Sequence, residues 1–143
     1  MGPVGIEQET SYLFVYGTLA PASPEDAERD GAIADAVRGR LYDFGAHPAL
    51  VDLDHPSAGW VEGWIRPVAI QVIRDELDPY EGVAEGLFHR LSAKTRAGRV
   101  AWVYVWAREL PQCARGPIAH WAGPRNSETI SLITRRVPDS PGA

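Results

Sequence analysis

The stretch Tyr12-Leu13-Phe14-Val15-Tyr16 sets the strongest limit on how this chain folds. Its β-branched and aromatic residues read as a strand, and it lacks the polar alternation of a strand with one wet face. Such a strand needs apolar cover on both sides. It stops at Gly17-Thr18-Leu19, with Pro21 and Pro24 close behind, so the chain leaves the sheet there as a loop. Glycine permits a turn, or a close approach that a Cβ would block. Amides turned outward at such a strand end suit a carboxylate or phosphate, although a glycine turn is also the ordinary way for a strand to stop.

With 143 residues the chain is expected to form one domain over 1–143, with a loose leader over 1–10 and a tail over about 127–143. The net charge of −5 argues against a nucleic-acid partner, because phosphate binding needs clustered cations. Arg135-Arg136 is the one adjacent basic pair. Cys113 stands alone, so neither an internal disulfide nor a cysteine zinc cage can form. The first residues carry no basic, apolar signal pattern, and no apolar run approaches membrane-spanning length. The expectation is a cytoplasmic protein with no membrane partner.

Ser23 is read as the cap of a short helix with Pro24 at its first position and Glu25, Asp26 and Glu28 following. Residues 32–36 are too short and mixed to assign. Strands are expected over 38–45, 48–51 and 60–65, with a turn at Asp54-His55-Pro56-Ser57. Pro67 stands where a helix can begin, and Val68, Val72, Ile73 and Leu77 approach the spacing of one helical face. Pro79 and Gly82 are expected to end that helix. A hairpin follows, with strands over 87–95 and 100–106 joined by Arg96-Ala97-Gly98, the second being the most buried of the sheet. Residues 118–121 are read as a short helical turn.

The chemistry-bearing residues are few. His47, His55, His89 and His120 lack the paired spacing of zinc ligands, and no glycine-rich phosphate loop is present. Neither Ser57 nor Ser92 has the setting of a nucleophile elbow. Acids gather at Asp75, Glu76, Asp78, Glu81 and Glu85, and most of these suit a solvated helix face. Glu81 differs, lying between Tyr80 and Gly82-Val83 just before the hairpin. A carboxylate desolvated there has its pKa raised from about 4.3 toward the range of roughly 6–7 that suits a general acid/base. From the residues alone, Glu81 is either a base or a bystander.

Tyr16-Gly17-Thr18-Leu19 together with Leu77-Asp78-Pro79-Tyr80-Glu81-Gly82 resembles the γ-glutamylcyclotransferase-like (AIG2-like) family. Gly39-Arg40-Leu41-Tyr42-Asp43-Phe44-Gly45, Pro48-Ala49-Leu50-Val51, Val61-Glu62-Gly63 and Ala101-Trp102-Val103-Tyr104-Val105-Trp106 fit its pattern in the same order. The resemblance implies a small α+β fold, a mixed β-barrel-like sheet with short flanking helices. It also implies a substrate site formed by Tyr16, Gly17, Thr18, Leu19 and Phe88, with Glu81 as acid/base. Phe88 stands where the family often carries a tyrosine, so a hydroxyl is missing there.

The reaction the resemblance implies is an internal aminolysis. The α-amine of a small γ-glutamyl substrate attacks its own γ-carbonyl, forming 5-oxoproline and releasing an amine. Nucleophile and electrophile share one molecule, so orientation and proton transfer are the main demands, and the expectation is no cofactor and no metal. Tyr42 and Tyr104 are read as core residues. Two alternatives stay open: a non-catalytic binding domain of the same fold, and a biosynthetic enzyme that unmasks a larger γ-glutamylated molecule. Exposed tryptophans at positions 60 or 64 would allow a homodimer.

Overall fold

A computed structural model describes residues 10–17, 19–121 and 123. The expected leader and tail therefore lie outside the described residues, apart from Thr10. Strand β1 (Thr10–Val15) lies at the centre of a five-stranded mixed sheet of order β2-β5-β1-β7-β6. It runs antiparallel to β5 (Trp60–Ala69), from Thr10 opposite Ala69 to Val15 opposite Trp64. On its other side it runs parallel to β7 (Val100–Trp106), Leu13 facing Trp102. The outer strands are β2 (Ile33–Arg38) and β6 (Phe88–Lys94), so the sheet is open. A three-stranded sheet is built from β3 (Arg40–Asp43), β4 (Pro48–Val51) and β8 (Arg115–Ile118), in the order β4-β3-β8.

The two-sided cover demanded by the first strand is present. Leu13 and Val15 pack with Val68, Val72, Ile73 and Leu77 on the helical side. Phe14 points the other way, into a cluster with Val37, Leu41, Leu50, Ile65 and Val103 that joins the large sheet to the small one. Period-two alternation thus gives each apolar layer its own residues from one strand. Each fully buried aliphatic or aromatic side chain contributes about 1.5–3 kcal/mol relative to exposure.

Helix α1 (Pro24–Asp30) forms as the sequence predicts: the Asp26 amide donates to the Ser23 hydroxyl at 3.1 Å, and Gly31 closes the helix in the left-handed conformation. Pro67 does not start a helix. It lies within β5, opposite Tyr12, beyond the point where the ladder to β2 ends at Ile33–Ile65. There β5 lacks a partner on one side, a position that tolerates proline. The helical segment begins at Ile70 and runs over 70–80 as α2 (Ile70–Val72), a π-turn segment (Ile73–Leu77) and α3 (Asp78–Tyr80).

Pro79 does not end that segment, because the wider turn before it accommodates a residue that has no N–H to donate. The Asp78 amide donates to the Ile73 carbonyl five residues back. The stretch left unassigned over 32–36 enters β2 at Ile33. Two further readings are corrected: the strand expected over 38–45 breaks at Gly39 into β2 and β3, and 118–121 is no helical turn, since Ile118 ends β8 opposite Leu41. Strand β7 is interior and buries Ala101, Val103, Tyr104 and Val105, but Val100 at its start is 63% exposed. The helices among the described residues include none long and apolar enough to cross a membrane.

Candidate functional site

The end of the helical segment is built as a Schellman motif. The Val83 amide donates to the Asp78 carbonyl at 3.0 Å and the Gly82 amide to the Pro79 carbonyl at 3.1 Å. Gly82 has φ +71°, which only glycine adopts freely, and a Cβ there would stand 2.8 Å from Leu87 Cδ1. The motif holds Glu81 as the last residue before the reversal, its own amide donating to the Leu77 carbonyl at 2.8 Å.

Glu81 is partly buried, and its pKa is raised to about 7. Desolvation is the larger cause and the negative charge of Asp78 the second. The partial negative charge of the helix end acts in the same direction. At neutral pH the group is therefore divided between acid and base forms, the condition for moving a proton both ways.

Tyr16, the residue after β1, lies within reach of the Glu81 charge. Its hydroxyl donates to the Tyr104 carbonyl at 2.7 Å and accepts from the Leu50 amide. Burial first, and the Glu81 charge second, push its pKa upward. Tyr104 on β7 is raised in the same sense by burial, then by the hydrogen bond and charge of Asp78, then by Glu81, with Arg90 opposing. Glu81 is thus within electrostatic reach of two phenols, one just past β1 and one on β7. Both phenols keep their protons at neutral pH, Tyr16 donating its own to the Tyr104 carbonyl and Tyr104 to Asp78.

Gly17 follows Tyr16 directly. It needs no left-handed backbone; what requires glycine is the ring of Pro48, whose Cγ and Cδ would lie 2.6 and 2.7 Å from a Cβ. Its carbonyl accepts from the Ala20 amide at 2.9 Å, which folds the loop back on itself. Leu19 is buried and sends its side chain into the helical-side core. Thr18 lies outside the described residues. Phe88 is buried, edge-on to Trp106 with centroids 5.2 Å apart, and beside His47 at 6.3 Å. It packs in the same core cluster as Leu19, Ala20 and Tyr104.

The structure thus brings the strand end and the acid-bearing turn together, and adds residues that sequence reasoning passed over. Asp78 accepts from the Tyr104 hydroxyl at 2.6 Å and from Arg90 at 2.8 and 3.1 Å. Arg90 in turn lies over the Trp102 ring, 4.4 Å from its centroid. Tyr104 is a core residue as expected, but a buried hydroxyl needs a partner, and that requirement was the available signal.

The family model described as gamma-glutamyl cyclotransferase, AIG2-like, matches residues 13–122. No curated protein matches the chain. Among solved structures, an AIG2-like protein from Mus musculus is similar with a TM-score of 0.54 and 24% identity, over 73% of this chain and 82% of that one. An uncharacterized protein from Pyrococcus horikoshii gives 0.52 and 20%, over 85% and 95%. A uropathogenic E. coli-specific protein gives 0.50 and 17%, over 68% and 80%. At these identities the likeness is one of fold.

Proposed function

The chain belongs to the gamma-glutamyl cyclotransferase, AIG2-like family, and we propose that it cyclises a small γ-glutamyl amine or γ-glutamyl amino acid to 5-oxoproline and a free amine. The observation that carries this reading is Glu81: a partly buried carboxyl, raised to about 7, within electrostatic reach of the phenols of Tyr16 and Tyr104. In this mechanism the loop at Tyr16, Gly17, Thr18 and Leu19 receives the γ-glutamyl group through its backbone amides. Phe88 packs behind it as an apolar wall.

Glu81 takes a proton from the α-ammonium, and the freed nitrogen attacks the γ-carbonyl carbon. A C–N bond forms within the substrate. The C–N bond to the leaving amine breaks as Glu81 returns the proton to that nitrogen. Glu81, ionised again, then carries the second proton from the ring nitrogen to the departing amine, which leaves as an ammonium, so protons and electron pairs balance and the carboxylate ends in its starting form. Binding the substrate folded on itself replaces a chance encounter by a fixed geometry, the larger part of what such an enzyme must provide.

The test is incubation with a panel of γ-glutamyl amino acids and γ-glutamyl amines, large acylated amines included, with 5-oxoproline measured by mass spectrometry. Release by the parent protein and its loss in a folded Glu81→Gln variant is the expected result. Equal release by that variant, or binding of the panel without ring closure, overturns it.

A further inference from the structure

Glu81 is the only acid in its motif so far given a task, yet Asp78, one helical turn earlier, is held far more tightly than a solvated face requires. Its carboxylate takes both nitrogens of a parallel Arg90 fork, at 2.8 and 3.1 Å, and the Tyr104 hydroxyl at 2.6 Å. Both partners of the ion pair are largely shielded, with side chains 18% and 19% exposed. Arg90 is braced from behind by Trp102. The pair joins the helical turn to both strands of the hairpin, β6 through Arg90 and β7 through Tyr104.

We propose that the Arg90–Asp78 pair is a positioning device that sets the proton affinity of Glu81, Asp78 holding negative charge beside it and Arg90 limiting how much of that charge Glu81 experiences. The proposal rests on Glu81 as the proton carrier, but its test does not require turnover. Among the described residues, the ionisable groups coupled to Glu81 are Asp78 on its own helical segment, Tyr16 just past β1, Tyr104 on β7 and, behind Asp78, Arg90 on β6. Both phenols stay protonated through neutral pH, so the acid and the guanidinium are the two levers. They act with opposite sign: negative charge near a carboxyl raises its pKa, and positive charge lowers it.

Two substitutions at one ion pair should therefore move Glu81 in opposite directions. Asp78→Asn keeps the shape and an acceptor for Tyr104 while removing the negative charge, so the Glu81 midpoint falls. Arg90→Met keeps an unbranched stem against Trp102 while removing the cation, so the midpoint rises. Each displacement is expected to be about half a pH unit or more at ordinary salt. Arg90→Lys, which retains the charge, should restore a midpoint near that of the parent.

The measurement is the chemical shift of the Glu81 side-chain carboxyl carbon, titrated by NMR in the full-length protein, with thermal melting as the check on folding. Opposite displacements together with rescue by lysine support the proposal. Displacements in the same direction, or a midpoint unmoved in both folded variants, overturn it. Where the protein turns over a γ-glutamyl substrate, the acidic limb of kcat/KM should follow the same two directions. Titrations that move as stated in a protein that closes no such substrate sustain the tuning and remove the cyclisation reading.

Discussion

Two withdrawn carboxylates in this fold, Asp35 and Glu81, have opposite fates. Asp35 is 3% exposed, and burial by itself would raise its pKa. The Thr95 hydroxyl, the Ala36 and Ala97 amides and the Arg99 guanidinium outweigh that burial, and the net shift is downward. Glu81 is also desolvated, has a second acid beside it, and its pKa rises. The lesson is that withdrawal from water does not decide what an acid does; the number of donors aimed at it does. Asp35 fastens the hairpin turn over 95–99 to β2, while Glu81 is left free to exchange its proton.

The contrast can be broken at either end. The largest effect expected is on catalysis: Glu81→Gln should lower 5-oxoproline formation by about 10²–10⁴-fold, the usual contribution of a general acid/base. Parent kcat/KM should rise with pH through about 7, because the base form of Glu81 must accept the ammonium proton. Next, Asp35→Ala should cost about 2–3 kcal/mol in denaturant unfolding, since it strands the amides of Ala36 and Ala97 and removes the partner of the part-exposed Arg99.

The third expectation has opposite signs for the two acids. A carboxyl with a depressed folded pKa stabilises above its unfolded value, near 3.9 for Asp35, and that contribution is lost as pH falls through the folded value. A carboxyl with a raised folded pKa does the reverse. Glu81 carries no penalty below its unfolded value near 4.3, and an increasing one as pH climbs to the folded value. Glu81→Gln should therefore be more stable than the parent at pH 8, by about 3–4 kcal/mol, and nearly equal to it near pH 4. A variant that lost activity and stability together at pH 8 would place Glu81 with Asp35 as a structural acid. The smallest effect, about 1 kcal/mol in melting experiments, is expected for Ser23→Ala, whose cap is remote from both acids.

Much of this was readable from the chain, for local reasons. The first strand announces two-sided burial, the Arg96-Ala97-Gly98 turn joins β6 and β7 as predicted, and Ser23-Pro24 caps its helix. What escaped notice depended on partners distant in sequence. Pro67 looks like a helix start until the short β2 ladder shows that one side of β5 is open there. Asp78 looks like one more solvated acid until Arg90 and Tyr104 arrive from the hairpin. Gly17 was legible as permitting a turn or a close approach, but what approaches it, the Pro48 ring, belongs to the small sheet. In each case the missing information was a neighbour, and local pattern carries no neighbours.

The π-turn over Ile73–Leu77 has a further consequence. Each residue of an α-helix advances the chain by about 100° around the axis, so one residue absorbed by a wider turn resets the heading of everything after it. Ile73 and Leu77 are both fully buried, which anchors the turn, while Arg74 and Asp75 between them are exposed. Removing Asp75 would let the segment tighten into ordinary helix with its apolar anchors still present. Glu81 would then swing away from Tyr16. In this protein, the length of one exposed stretch is itself a determinant of where the acid points.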